Sequence, residues 1–175
     1  MILGMSVQTF TILHVVISLI AIASGIIVVI GMFGSQPQPR WTAIFLLMTI
    51  LTSVTGFLFP IHGFTPALGV GVISIVLLAV ALLALYVKKL AGAWRWIYVV
   101  TAIAALWFNV FVLIVQSFQK VAFLNPLAPQ VGPPFAGATN TQFAIAQTAA
   151  LVVFVLLGIF AVIKFRPGAM LTPRY

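Results

Sequence analysis

Five apolar runs, each more than 20 residues long and charged only near its ends, follow one another at roughly 8–33, 41–61, 66–87, 93–117 and 142–164. A helix rises ~1.5 Å per residue, so ~20 residues cross the ~30 Å hydrocarbon core of a bilayer. The composition agrees. The 175 residues are 64% apolar and only 5% charged, and the mean hydropathy is +1.32. A water-facing shell needs more charge than that, so lipid is the solvent that fits. The expected fold is an all-α integral membrane protein: a single membrane domain over 1–175 made of a five-transmembrane-helix bundle, with a connection at 118–141.

The missing residue types exclude much chemistry. There is no cysteine, so disulfides, thiolate metal sites, iron–sulfur clusters and cysteine nucleophiles are out. There is no aspartate or glutamate. That removes paired-carboxylate catalysis, carboxylate-held divalent cations, a Ser-His-Asp triad and an acidic proton relay. No phosphate-cradling or dinucleotide-binding glycine motif occurs. The chain is expected not to be an enzyme.

The breaks between runs have recognisable turn chemistry. "GSQPQPR" (34–40) is polar and proline-rich, and "KKLAGAW" (88–94) is short and basic. In "HGFTP" (62–66), Thr65 suits a helix N-cap and Pro66 a first helical position. The stretch from 118 to 142 holds four prolines and is too irregular to span.

The net charge of +8 does not form one patch, so no nucleic-acid partner is expected. Basic residues instead mark the ends of the runs. With five spans, Arg40, Lys88, Lys89, Arg95, Lys164, Arg166 and Arg174 fall on one side and Lys120 on the other. By the positive-inside rule this predicts the N-terminus outside and the C-terminus cytoplasmic, in a bacterial inner membrane. Trp41, Trp94, Trp96 and Tyr98 lie beside the basic residues, as an interfacial aromatic belt would. The first run lacks a basic n-region and is too long for a signal-peptide core.

The two histidines are the most informative polar residues. His14 falls seven residues into the first run and His62 just past the second, so both are expected near the outer face. Beneath His14, Ser18, Ala21 and Gly25 follow at helical spacing, with Ser18 placed to serve an imidazole. Thr49, Thr52, Ser53 and Gly56 make a similar small stripe on the second run, and Ala67, Gly71 and Ser74 on the third. Small faces let helices approach closely in lipid. Gln8, Thr9, Thr11, Gln116, Gln147 and Thr148 also fall in the outer half, with Asn109 near the middle. Polar groups in hydrocarbon need partners, so they are expected to face the bundle or a cavity. Gln116 and Gln147 are candidate pocket lining. Val121, Phe123, Leu124, Leu127, Val131 and Phe135 make the outer connection apolar enough to lie on the membrane, cap the bundle or dock on a partner.

The favoured function is a non-catalytic accessory subunit of a larger inner-membrane complex, contacting lipids and other subunits through its apolar faces and the connection 118–141. The alternative is a b-type haem electron-transfer protein with His14 and His62 as axial ligands, or a quinone- or lipid-binding protein using Gln116 and Gln147. Copper or zinc has an incomplete donor set. Ion-coupled transport lacks an intramembrane charge. Through "LHVVISLIAIASG" (13–25) and "TSVTGFLFPIHG" (52–63), the first two spans resemble small bacterial membrane proteins of the cytochrome-b kind. That resemblance implies haem as the cofactor, and it does not extend to the last two spans or the connection before them.

Overall fold

The computed structural model describes residues 1–60, 66–127 and 141–167. Among them are five helices long and apolar enough to cross a membrane. They are α1 (Val7–Phe33), α2 (Pro39–Phe57), α3 (Pro66–Leu82), α4 (Trp94–Lys120) and α5 (Thr141–Lys164). A π-helical turn, Leu83–Val87, extends α3, and a 3-10 turn, Asn125–Leu127, follows α4. No strand is present among the described residues.

Local chemistry sets the ends. The Ser6 side chain accepts from the Thr9 backbone N–H at 3.1 Å and starts α1. Pro39 and Pro66 occupy first helical positions, where a missing N–H costs nothing. Thr65 itself lies outside the described residues. The second apolar run is longer than its helix: α2 stops at Phe57, where the Leu58 N–H turns back to the Thr55 carbonyl. Pro60 disfavours helix in the residue before it, and Phe59 leaves the helical path. Between α3 and α4 the backbone of Lys89, Leu90 and Gly92 is left-handed (φ 48°, 58° and 52°). Only glycine adopts that region without strain, so this basic reversal is held by its neighbours. Lys88 Nζ over the Trp94 ring, 5.5 Å from its centroid, is one such contact.

Successive helices alternate in direction. Ser18 and Thr52 meet across α1 and α2, and Arg95 near the start of α4 meets Val162 near the end of α5. Arg40, Lys88, Lys89, Arg95, Lys164 and Arg166 therefore share one end of the bundle, here the basic end, and Lys120 lies at the other. Helix α4 is the hub, packing on all four other spans. Helix α5 is peripheral, resting mainly on α4 and α1, and Ala161 is its one buried residue.

The apolar core lies towards the basic end. Val28, Met32, Phe45, Leu46, Val99 and Leu106 are among its most buried members. Gly25 makes the junction of α1, α2 and α4 close. A Cβ there would stand 2.6 Å from Leu106 Cδ1 and 2.9 Å from Phe45 Cδ2. Gly71, on the α3 stripe, likewise receives the Phe57 ring of α2. Tyr98 departs from the expected aromatic belt. It is only 2% exposed, packed beside Phe165 with its hydroxyl on Thr42. Its position on the inward face of the hub helix overrides the general preference of tyrosine for the interface. Trp41 and Trp96 remain exposed.

Candidate functional site

The seam between α1 and α2 is joined by side-chain hydrogen bonds stacked one turn apart. Thr52 Oγ1 donates to Ser18 Oγ at 3.3 Å, and Ser18 Oγ donates to the His14 carbonyl at 2.8 Å. The expectation that Ser18 serves the imidazole is not met: its hydroxyl goes to the backbone carbonyl of His14, not to the ring. The ring is held by Thr55, with Nδ1 to Oγ1 at 2.7 Å.

The tautomer of His14 follows by elimination. The single hydroxyl hydrogen of Thr55 is directed to the Leu51 carbonyl at 2.6 Å, with the Thr52 carbonyl at 3.2 Å. Thr55 Oγ1 can then only accept from the ring, so Nδ1 carries the proton and Nε2 keeps its lone pair. The Phe59 ring meets the imidazole edge-on at 5.4 Å and Phe10 at 5.1 Å. Gly56 presents no side chain to His14 Cε1, where a Cβ would stand 3.8 Å away. Fixing one ring nitrogen against an acceptor while the other keeps its lone pair is how ligating histidines are oriented. It equally suits an imidazole that accepts one hydrogen bond. His62, the other expected ligand, lies outside the described residues, as do Val131 and Phe135.

Thr55 was legible at i+3 from Thr52, on the same helical face, yet the small-residue stripe at 49, 52, 53 and 56 obscured it. One level deeper, Asn109 Nδ2 donates to Thr49 Oγ1 at 3.2 Å while Thr49 donates to the Phe45 carbonyl. That bond ties α4 to α2.

Gln147 occupies a different seam. On α5, its Nε2 donates to the Phe111 carbonyl of α4 at 3.1 Å, whereas its Oε1 is buried without a hydrogen-bond partner among the described residues. Gln116, its expected companion, is exposed on α4, and Gln8, Thr9 and Thr148 are exposed too. Thr11 is satisfied within its own helix by the Val7 carbonyl. These side chains therefore do not converge on one pocket with His14. In the connection, Phe123 is 83% exposed.

At the basic end Arg95 crosses to α5. Its Nη1 donates to the Val162 carbonyl at 2.9 Å and also to the Phe165 carbonyl. A guanidinium on the last carbonyls of a helix completes groups the helix leaves open. Ser35 Oγ accepts from the Arg166 backbone N–H at 2.7 Å and adds a second tie. His14 lines neither of two cavities found among the described residues. One of about 160 Å³ lies at the basic end between Gln36, Gln38, Thr42 and Tyr98. The other, about 440 Å³, is an apolar groove between α4 and α5 that includes Trp107 and Gly158.

Compared with known protein families, curated proteins and solved structures, the chain matches none.

Proposed function

We propose that this chain is a non-catalytic subunit of a larger bacterial inner-membrane assembly, with its N-terminus outside and its C-terminus cytoplasmic. The exposure of α5 carries the reading. A terminal span with a single buried residue is a poor fit for a self-sufficient bundle and a good fit for a helix packed from both sides. Its outward face includes Ala144 and Thr148 one turn apart, a small-residue surface on which a second helix can approach closely. Against catalysis within the chain, the polar groups of the spans are mostly bonded to helix carbonyls or to one another rather than gathered round a cavity. The six basic residues at one end favour the stated orientation.

A photo-crosslinking residue placed at Thr148 or Leu156 of α5, and for comparison at Leu19 or Ile26 of α1, tests this in membranes. Protein adducts from the α5 positions and lipid adducts alone from α1 are expected. Lipid adducts alone from all four positions would remove the assembly reading.

A second reading has one observation of its own. The Thr55 bond leaves His14 Nε2 with its lone pair, as an axial haem ligand requires. The test is the absorption spectrum of the gently extracted protein, oxidised and then reduced. A Soret band that shifts on reduction and is lost in His14→Ala supports a b-type haem. A colourless protein from haem-replete cells rejects it.

A further inference from the structure

The chain has eight lysines and arginines and no aspartate or glutamate, so none of its cations meets a side-chain carboxylate. Six of the eight, Arg40, Lys88, Lys89, Arg95, Lys164 and Arg166, stand at one end of the bundle. Arg95 is bonded to the Val162 and Phe165 carbonyls. Lys88 lies over the Trp94 ring and Lys164 over the Phe160 ring, contacts that leave the net charge in place. Arg40, Lys89 and Arg166 are exposed, and their side chains have no hydrogen-bond partner among the described residues.

The cavity of about 160 Å³ opens among these charges. Pro39, Leu90 and Phe165 line it, and each is the chain neighbour of one of those three cations. Gln36, Pro37 and Tyr86, which also line it, are exposed, so an occupant enters from the surface. Its deeper lining is neutral and polar, with Thr42 and Tyr98 both buried and hydrogen-bonded to each other.

Two features choose the occupant. Cations with no carboxylate in their own chain draw an anion from outside it, and basic pockets between spans hold anionic lipid heads. The surroundings favour lipid over an acidic protein segment. Trp41, Trp96 and Tyr86 are exposed at this end, as amphipathic rings are at head-group depth, and Leu83 and Val87 are exposed on adjacent turns beside Tyr86. The second feature concerns the head itself. A choline, ethanolamine or serine head brings an ammonium that finds no carboxylate here and several cations that repel it. A glycerol head brings only hydroxyls, which suit the amides of Gln36 and Gln38. A cavity of ~150 Å³ admits benzene, which has as many heavy atoms as glycerol.

We infer that the basic end binds an anionic phospholipid with a hydroxyl-bearing head, of the phosphatidylglycerol class. The phosphodiester lies among Arg40, Lys89 and Arg166, the glycerol head enters the cavity, and the acyl chains run over Leu83 and Val87. The inference rests on the membrane-spanning reading of the helices and not on the assembly reading of α5.

The test uses the full chain in nanodiscs of equal parts phosphatidylcholine and phosphatidylglycerol, released gently and weighed with its bound lipid by native mass spectrometry. Both leaflets carry the same mixture, so the orientation of the chain does not enter. Phosphatidylglycerol should be retained about tenfold more than phosphatidylcholine. Equal retention overturns the proposal without depending on any substitution. Arg40→Gln with Lys89→Gln should lower that preference about fivefold for each cation removed, with helicity kept. Lys120→Gln, at the opposite end, should leave it unchanged. A preference that survives the double substitution, or that falls as far with Lys120→Gln, overturns the site. Phosphatidylserine has the same net charge as phosphatidylglycerol and should be retained about fivefold less; equal retention overturns the choice of head. A photo-crosslinking residue at Tyr86 in native membranes should give lipid adducts. Protein adducts alone would assign the patch to an acidic partner and overturn the lipid, whatever the α5 positions show.

Discussion

The α1/α2 seam and the α4/α5 seam are built on opposite plans. Along α1/α2, small residues let the helices close in, and His14, Ser18, Thr52 and Thr55 then pair across or along the contact. Along α4/α5, contact is pinned at the ends, by Arg95 on the Val162 and Phe165 carbonyls and by Gln147 on the Phe111 carbonyl. Between the pins the packing is less complete, and an apolar groove of about 440 Å³ runs along the contact. Lipid supplies no hydrophobic drive to pull two apolar helices together, so close packing and hydrogen bonds decide which faces meet. Where both are present the seam closes, and where they are confined to the ends it stays open.

Glycine substitutions break this comparison most sharply. Gly25→Ala drives a methyl to within 2.6 Å of Leu106 Cδ1 in a filled junction. It should cost ~1–3 kcal/mol, read as a lower midpoint in detergent-mediated unfolding. Gly158→Ala meets only Ile103 Cγ2 at 3.9 Å, an ordinary contact, and should leave the midpoint unchanged or raise it. Equal losses at both glycines would mean that the two seams are equally tight.

Arg95→Met comes next. Losing hydrogen bonds from a charged donor to two carbonyls should cost ~1.5–3 kcal/mol. Amide exchange near Val162–Phe165 should accelerate by about tenfold or more, while exchange in α1 and α2 stays as it was. Acceleration throughout the bundle would show that α5 is not a separately pinned element.

His14→Phe and Thr55→Val, alone and together, sharpen the view of the closed seam. Their coupling energy should be ~0.6 kcal/mol and no more than ~1.7, as for other side-chain bonds within membranes. A coupling of zero would mean that the bond between the His14 ring and Thr55 adds nothing to the seam. The smallest effect belongs to Gln116→Leu. On an exposed face it should stay within ~0.5 kcal/mol, whereas Gln147→Leu should exceed it by removing the partner of the Phe111 carbonyl.

The spans were readable because length and hydropathy report directly on burial in lipid, and Pro66 marked a helix start, whereas Pro39, read as part of the turn, opens α2. Their ends were less so. The run to residue 61 hid the stop at Phe57, since Phe59 is as apolar in a turn as in a helix, and residues 118–120 read as connection although α4 includes them. Of the candidate site residues, Gln147 is paired and half-buried, while Gln116, on another face of α4, is exposed. Residue type was the same in both, and only the rotation of each helix separated them. Trp107 gave no signal beyond its position in the middle of a span. Its interest lies in a buried N–H without a partner among the described residues, which appears only when the neighbouring helix is in place.

By itself, then, the sequence determined that the chain has five runs long and apolar enough to cross a membrane, where the basic residues cluster along it, and which chemistries its missing acids and cysteines forbid. These are sums over composition and local runs, and they survive any arrangement of the helices. The tertiary structure alone decided that Thr55 rather than Ser18 holds the His14 ring and that Tyr98 is core rather than belt. It also decided that α4 is the hub and that a groove opens beside α5. The reason is the nearly uniform hydropathy of the spans. When every face of a helix is apolar, hydropathy cannot say which face turns inward, and close packing at glycine with a few hydrogen bonds makes that choice.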